Sequence, residues 1–329
     1  MNIFDCTLRD GGNVVGNGFD ARLTDSMVRG LISCGITEIE LGNAKGLGAY
    51  AAGSTAPLND EEYMDLVAPY TDKASLGMFL QANYADEALV HMAKEKGLKF
   101  LRVGTNAGDG AKAVEAVKMV KAAGLRCRYS QMKAYLLTPE QLADEAAMLV
   151  AAGVDAITIM DSAGTMFPED AAAYVKALKA KVSVPVGFHG HNNLGLSQAN
   201  AIAAIEAGAD ELDAGLLGMA RSAGNCATEL AAALLLRLGK FDEKGFYTLL
   251  SYLDHELIPM MAEHDYHVAV CPEDIVLGIS GCHSSFLKLF HKVAEEEGVD
   301  AYQLIVKVSE RDRKAPTEEL MRAVAAELK

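Results

Sequence analysis

AAGL (residues 122–125), AAGVD (151–155) and EAGAD (206–210) are three copies of one junction between the end of a helix and the start of a strand. Each copy places a glycine where the helix should stop, because glycine readily adopts the left-handed conformation that closes a helix. Apolar runs of strand length recur about every 30 residues along the chain, with amphipathic stretches between them. The eight predicted strands are Asn2–Asp5, Glu38–Leu41, Ser75–Leu80, Phe100–Val103, Arg126–Ser130, Ala156–Met160, Pro185–Phe188 and Glu211–Ala214.

Eight strand–helix units predict a closed (β/α)8 TIM barrel over residues 1–240. An open doubly wound sheet is disfavoured, because no dinucleotide-binding glycine pattern follows the first strand. The rhythm changes after about Lys240, and residues 241–329 are predicted to form a small helical C-terminal domain. The predicted helices are Thr24–Cys34, Ala85–Lys96, Ala111–Ala123, Pro139–Ala152, Pro168–Lys181, Gly195–Ala207, Tyr247–Ala262, Ser284–Glu297 and the tail after Pro316.

Composition argues against several classes of function. The formal net charge is −15, from 45 acidic and 30 basic residues, and no basic run marks a nucleic-acid interface. No stretch approaches the roughly 20 apolar residues of a membrane helix. The six cysteines are scattered without a CxxC pair, which is typical of reduced, buried thiols. We therefore predict a cytoplasmic protein that binds neither nucleic acid nor a membrane.

Polar residues cluster at the predicted strand ends, where barrel enzymes place their active sites. The first strand leads into Arg9 and Asp10, and the seventh into His189 and His191. Residues two apart on a strand point the same way, so both imidazoles can face one point in the barrel mouth. Two histidines and one aspartate leave open positions on a divalent ion. A lone HxH pair is more often structural, and it is the nearby Arg-Asp pair that favours a metal site.

These segments carry a family resemblance. DCTLRDGG (5–12), HGHNN (189–193) and GNCATE (224–229) resemble the metal-dependent lyases of the hydroxymethylglutaryl-CoA lyase type. GLGAYA (46–51), MDSAG (160–164), LLGMARSAGN (216–225) and the segment from Leu277 to Ile305 are similar to the 4-hydroxy-2-oxovalerate aldolase branch. The likeness covers nearly the whole chain. It implies a divalent-metal-dependent enzyme that makes or breaks a carbon–carbon bond through a pyruvate-type enolate.

The resemblance also implies a set of metal ligands. Asp10, His189 and His191 match the family's ligands. Asn225 matches a further ligand position, although a polar residue there could instead cap the last barrel helix. The family favours Mn²⁺ or Mg²⁺, while mixed nitrogen and oxygen ligands also admit cobalt or zinc.

Other positions match residues that handle the substrate. Arg9 matches an arginine that faces the oxygen destined to become an enolate, and a fixed cation stabilises such developing charge. Glu40 matches the acidic partner that orients this arginine, so Arg9 also has a structural ion pair. Ser162 is a candidate hydrogen-bond donor to the oxo-acid carboxylate; the alternative is an ordinary loop serine.

Two positions depart from the aldolase pattern. A histidine considered the general acid/base is replaced by Asn13, whose amide cannot shuttle a proton, and a second family histidine aligns with Asn43. His283 stands where these aldolases tend to have a tyrosine near the substrate. We predict that His283 takes over proton transfer, which suits an imidazole near neutral pH; the alternative is a histidine outside the site.

Three functions compete. The first is a metal-dependent aldolase acting on a small oxo acid. The second is an acyl-CoA-dependent synthase of the isopropylmalate or homocitrate kind, although those enzymes usually have Glu-Gln where this chain has Gly12 and Asn13. The third is a catalytically silent metal-binding barrel. The resemblance further implies an acylating aldehyde dehydrogenase as a partner of the C-terminal domain, and it leaves the oligomeric state open.

Overall fold

A computed structural model describes residues 1–266, 276–278 and 280–329 of the chain. Eight parallel strands follow one another around a closed barrel in chain order, as predicted, and β1 pairs with β8 to complete it. Most strands extend beyond the predicted ends toward the barrel mouth. The strands are β1 Asn2–Asp5, β2 Glu38–Leu41, β3 Ser75–Gln81, β4 Phe100–Asn106, β5 Arg126–Met132, β6 Ala156–Asp161, β7 Val186–Gly190 and β8 Glu211–Ala214.

Helices surround the barrel and continue into the C-terminal region. The helix Asp60–Val67 was not among the predicted stretches, whereas Thr228–Arg237 and Ala301–Arg311 lie where a last barrel helix and a helical C-terminal region were predicted without bounds. The predicted helix Tyr247–Ala262 begins earlier, at Glu243, and contains a π-helical turn over Leu253–Leu257. The α-helices are α1 Ala21–Ser33, α2 Asp60–Val67, α3 Glu87–Glu95, α4 Val114–Ala122, α5 Pro139–Ala152, α6 Pro168–Lys181, α7 Ser197–Glu206, α8 Thr228–Arg237, α9 Glu243–Tyr252, α10 Ile258–Ala262, α11 Leu287–Glu297, α12 Ala301–Arg311 and α13 Glu318–Leu328.

Local sequence explains where these helices start and stop. Before α5, the Thr138 side chain accepts from the backbone N–H of Gln141, and Gln141 reaches back to the N–H of Thr138. Pro139 fits the first helical position because its missing N–H would have no partner there. Gly153 ends α5 with a φ of 117°, which side-chain-bearing residues rarely adopt. The repeated junctions of the sequence therefore act as helix stops.

Two hydrophobic clusters organise the chain. The larger lies between the strands and the surrounding helices. Along the chain, its buried residues extend as far as Met261. Tyr252 belongs to it, packed against Gly30 of α1, where a side chain would collide with the tyrosine ring. The second cluster contains Leu277 and joins α11, α12 and α13. The domain division at residue 240 stays a prediction, and α9 and α10 pack with the barrel.

The barrel interior is unusually charged. Arg102 is fully buried and donates to Glu40 and Asp213, so three strands share one ionic network. The Phe4 ring lies 4.4 Å from the guanidinium of Arg102 and 4.4 Å from that of Arg128. Buried charges are tolerated when they are paired and hydrogen-bonded in this way. The network positions the side chains above it at the barrel mouth.

None of the helices in the described ranges combines the length and the hydrophobicity needed to cross a bilayer. The cysteines of these ranges, Cys6, Cys34, Cys127, Cys226 and Cys282, are free and buried thiols. Cys271 lies outside the described residues. The predicted buried thiols are thus observed at five positions.

Candidate active site and metal centre

A cavity of about 250 Å³ opens at the carboxyl ends of the strands. Most of the predicted site residues line this cavity. Glu40 and Asn225 do not line it, but they contact the lining residues Arg9 and Asp10. The predicted residues that line it are Arg9, Asp10, Ser162, His189, His191 and His283. Residues at or just after the carboxyl ends of β1, β6 and β7 thus meet one from the C-terminal region.

Asp10, His189 and His191 form a group suited to a metal ion. All three are buried, and one ligand atom from each lies within 4.8 Å of the others. Oδ2 of Asp10 is 3.6 Å from Nε2 of His189 and 3.8 Å from Nε2 of His191. Burial would raise the pKa of Asp10, but Arg9 and the two imidazoles hold it well below its usual range. Burial lowers the pKa of His191 to about 4, so its neutral ring offers a lone pair near neutral pH.

Asn225 completes one side of this group. Its Nδ2 donates to Oδ2 of Asp10 at 2.9 Å, while its buried Oδ1 has no hydrogen-bond partner among the described residues. Helix α8 begins at Thr228 with Ala227 in the capping position, so Asn225 makes no capping bond to that helix. An unpartnered buried oxygen beside two imidazoles and a carboxylate fits a divalent cation, which would satisfy it.

Asp213 orients His189. Nδ1 of His189 lies 3.1 Å from Oδ2 of Asp213. Although burial opposes ionisation, Arg102 and His189 lower the pKa of Asp213 to about 2. Its carboxylate is therefore ionised and accepts a hydrogen bond from His189. The His189 ring therefore carries its hydrogen on Nδ1. Its Nε2, on the side of Asp10, keeps a lone pair for a metal ion. Such carboxylate support is typical of histidines that bind metal.

Arg9 is fixed between two carboxylates. Its Nε donates to Oε2 of Glu40 at 2.6 Å, and its Nη1 lies 3.2 Å from Oδ1 of Asp10. Glu40 is fully buried, and Arg102 and Arg9 together keep its pKa low against the effect of burial. Nη2 of Arg9 has no hydrogen-bond partner in residues 1–266, 276–278 and 280–329. Arg9 thus has the ion pair predicted with Glu40 and one donor left for a ligand.

Ser162 and His283 both line the cavity. Oγ of Ser162 accepts from the backbone N–H of Lys133 at 2.9 Å, which leaves the hydroxyl hydrogen for a ligand. Nδ1 of His283 accepts from the backbone N–H of Ser285 at 3.1 Å, so a neutral His283 carries its hydrogen on Nε2. Burial and the charges of Arg221 and Lys133 lower the pKa of His283 to about 3. His283 is therefore built as a hydrogen-bond donor.

The two departures from the family pattern have different environments. Nδ2 of Asn13 donates to the backbone oxygen of Asp10 at 2.8 Å, and its Oδ1 accepts from Arg221 at 3.1 Å. Asn43 is buried away from the cavity wall, where its Oδ1 accepts from Lys45 N and Ser54 Oγ. Asn13 thus belongs to the site, while Asn43 shapes the loop after β2.

Sequence reasoning missed four charged residues of this region. Arg102 and Asp213 lie inside the barrel, and the alternation of polar residues along β8, with Glu211 two positions before Asp213, could have indicated Asp213. Lys133 and Arg221 also line the cavity. They follow β5 and β8, and no local pattern marks them.

The HMGL-like family model matches residues 1–258. The chain belongs to the HMGL-like family. A second model, the DmpG-like communication domain, matches residues 268–329. A 4-hydroxy-2-oxovalerate aldolase of Roseiflexus sp. (strain RS-1) is 34% identical over 98% of this chain and 95% of that protein. A protein of the same name from Geobacillus genomosp. 3 is 31% identical over 100% of this chain and 97% of that protein.

Solved structures agree with the HMGL-like barrel. The N-terminal domain of a putative aldolase from Bacteroides vulgatus has a TM-score of 0.68 and 21% identity, over 85% of this chain and 93% of that one. The carboxyl transferase domain of Rhizobium etli pyruvate carboxylase, with 3-hydroxypyruvate, has a TM-score of 0.77 and 17% identity, over 100% of this chain and 61% of that one. At these identities the likeness concerns the fold.

The family membership and the site agree. This HMGL-like chain is a metal-dependent carbon–carbon lyase of the aldolase type, as the sequence predicted. A divalent metal belongs to that chemistry, and Asp10, His189 and His191 are grouped as such an ion requires. The aldolase names of its relatives favour the first of the three predicted functions over the acyl-CoA-dependent synthase.

Proposed function

We propose that the chain cleaves a 4-hydroxy-2-oxo acid into pyruvate and an aldehyde, and runs the same reaction in reverse. The observation that carries this proposal is the position of Arg9. Its guanidinium is fixed by Glu40 and lies beside Asp10 in the group of candidate metal ligands. A cation held next to a metal site suits an oxygen that becomes negatively charged during the reaction.

Asp10, His189, His191 and Asn225 would hold the metal, with Mn²⁺ or Mg²⁺ as the proposed ion. When bound, this ion supplies a Lewis acid for the oxygens of the 2-oxo acid. In the cleavage, the 4-hydroxyl gives its proton to a solvent water, the C3–C4 bond breaks, and its electron pair forms the enolate of pyruvate, which takes a proton from solvent at C3. The free Nη2 of Arg9 donates to the enolate oxygen.

The other side chains bind and orient the substrate. The hydroxyl of Ser162 donates to the carboxylate, because its oxygen already accepts from Lys133 N. Nε2–H of His283 donates to the oxygen of the aldehyde half and so polarises the aldehyde during condensation. The proton-transfer role predicted for His283 stays a prediction, and its contact with the backbone of Ser285 favours the donor form.

The test is pyruvate release. Metal-free protein is mixed with Mn²⁺ and racemic 4-hydroxy-2-oxovalerate, and pyruvate is followed with coupled lactate dehydrogenase. We expect release that requires metal and is absent in Asp10→Asn. Metal-independent release would contradict the proposal, and silence both in this assay and in metal-dependent proton exchange of pyruvate would favour the metal-binding barrel without activity.

We further propose that the C-terminal helices contact an acylating aldehyde dehydrogenase in the cytoplasm. The match to the DmpG-like communication domain supports this partner, as does the separate hydrophobic cluster of α11 to α13. Sedimentation of the chain mixed with a purified acylating aldehyde dehydrogenase would test it. A faster-sedimenting complex is expected, and independent sedimentation of the two proteins at micromolar concentration would contradict it.

A further inference from the structure

The cavity wall has more positively charged side chains than are required to bind a pyruvate enolate. Within the described ranges its charged lining residues are one carboxylate, Asp10, and the cations Arg9, Lys45, Lys133 and Arg221. Arg9 is paired with Glu40, and Lys45 is exposed. Neither Lys133 nor Arg221 forms a salt bridge with any carboxylate in the part of the chain that the structure describes. Two cations at the cavity wall are therefore left without an anionic partner.

Arg221 is held by a neutral amide. Its Nη2 donates to Oδ1 of Asn13 at 3.1 Å, and Asn13 is itself fixed by the backbone oxygen of Asp10. Burial lowers the pKa of Arg221, and only the charge of Asp10 opposes this effect. A metal ion bound to Asp10 would neutralise the negative charge of that carboxylate. A desolvated guanidinium without a counter-ion is unfavourable, so the site favours an anion from the ligand.

Lys133 reaches the same cavity from the end of β5. The residue is 8% exposed and has a φ of 54°, a left-handed conformation that is strained for a residue with a side chain. Its Nζ donates to the backbone oxygen of Lys314 at 2.9 Å and lies 5.3 Å from the Phe286 ring. One contact with a neutral oxygen leaves two ammonium hydrogens for another acceptor. Strained residues of this kind cluster at ligand sites.

We infer that Arg221 and Lys133 form an anion-binding subsite, and that the aldehyde half of the substrate carries a carboxylate or phosphate group. The inference rests on the proposed function, in which Ser162 and the metal take the carboxylate of the pyruvate half. His283 lines the same cavity as Arg221 and Lys133, and the charges of both lower its pKa.

The subsite also explains Asn13. The resemblance places a histidine of the aldolases at this position. A protonated imidazole would repel the guanidinium of Arg221, whereas the amide oxygen of Asn13 accepts from it. The change from histidine to asparagine is therefore understood as support for Arg221 and as a change in substrate class.

Binding of matched oxo acids tests the subsite without turnover. 2-Oxoadipate and 2-oxohexanoate have the same chain length and the same 2-oxo acid end, and they differ in the distal carboxylate. Each is titrated by calorimetry into Mn²⁺-loaded wild type, Arg221→Met, Lys133→Met and Arg237→Met. Arg237 is an exposed residue at the end of α8, so its variant matches the loss of charge.

We expect wild type and Arg237→Met to bind 2-oxoadipate at least about tenfold more tightly than 2-oxohexanoate. The ratio should fall toward one in Arg221→Met and in Lys133→Met, and Arg221→Lys should restore part of it. Should Arg221→Met not fold, Arg221→Lys and Lys133→Met carry the comparison.

A ratio of one in wild type would overturn the inference. Equal weakening of both ligands in Arg221→Met would also overturn it, because it would assign Arg221 to the carboxylate of the 2-oxo acid end. Failure of both ligands to bind metal-loaded wild type would instead refute the proposed function, and the subsite with it. The kcat/KM values for condensing pyruvate with succinic semialdehyde and with glyceraldehyde 3-phosphate then separate a carboxylate from a phosphate.

Discussion

Nδ1 of His189 lies 3.1 Å from Oδ2 of Asp213, deep inside the barrel. This contact gives His189 a defined tautomer and directs its Nε2 toward Asp10. The same carboxylate pairs with Arg102, which pairs with Glu40, and Glu40 holds Arg9. One ionic network therefore connects a candidate metal ligand to the arginine that we assign to the enolate.

Asp213→Asn should weaken Mn²⁺ binding about ten- to hundredfold, because an amide at this position no longer fixes the His189 tautomer. Calorimetric titration of metal-free protein measures the effect. Asp210→Asn, just before the start of β8 and paired with the surface residue Lys179, is the control and should keep wild-type affinity. Equal affinities for wild type and Asp213→Asn would show that the contact does not support the metal site.

Arg9→Met should lower kcat for pyruvate release about 10² to 10³-fold, since it removes one fixed donor to the developing charge. Metal affinity should be retained, because Arg9 is a cation 3.2 Å from Asp10 and competes with the ion. Steady-state kinetics at saturating Mn²⁺ and a metal titration are the two measurements. A loss of activity that follows a loss of metal would contradict the assigned role.

The environment of His283 predicts a pH dependence of stability. Its pKa is about 3 in the folded chain, against an ordinary value of 6.5. Below pH 6.5 the His283 ring is protonated in the unfolded chain but not in the folded chain. The free energy of unfolding therefore decreases as the pH falls toward 3. Relative to His283→Gln, wild type should lose about 1 to 2 kcal/mol of unfolding free energy between pH 7 and pH 5.

Urea unfolding of metal-free wild type and His283→Gln at pH 7, 6 and 5 measures this difference. The comparison of two variants removes the contributions of carboxyl groups such as Asp5 and Asp161, whose pKa values burial raises to about 6. Parallel pH profiles for the two proteins would contradict the environment described for His283.

Much of the barrel could be predicted from sequence, because each strand–helix unit carries its own pattern. Both ends of β1, β2 and β8 match the predicted residues. The strands β4 and β5 continue to Asn106 and Met132, where polar residues interrupt the apolar run that the prediction relied on. Local hydrophobicity cannot show that pairing with a neighbouring strand continues there.

The candidate site also contains some residues that the sequence indicated and others that it did not. Asp10, His189 and His191 were recognised because they lie within short motifs at strand ends. Asp213 and Arg102 act through the closure of the barrel, where the register places Phe4 of β1 beside Asp213 of β8. Lys133 and Arg221 meet only because distant segments converge at the barrel mouth. Such contacts depend on tertiary structure and leave no local pattern.

The central claim is that a metal held by Asp10 and the two histidines supports an enolate of pyruvate. The most direct measurement is deuterium incorporation into the methyl group of pyruvate in D₂O, followed by mass spectrometry with and without Mn²⁺. Wild type should exchange these protons only with metal, and Asp10→Asn should not exchange them. Exchange that persists without metal, or in Asp10→Asn at the wild-type rate, would contradict the account.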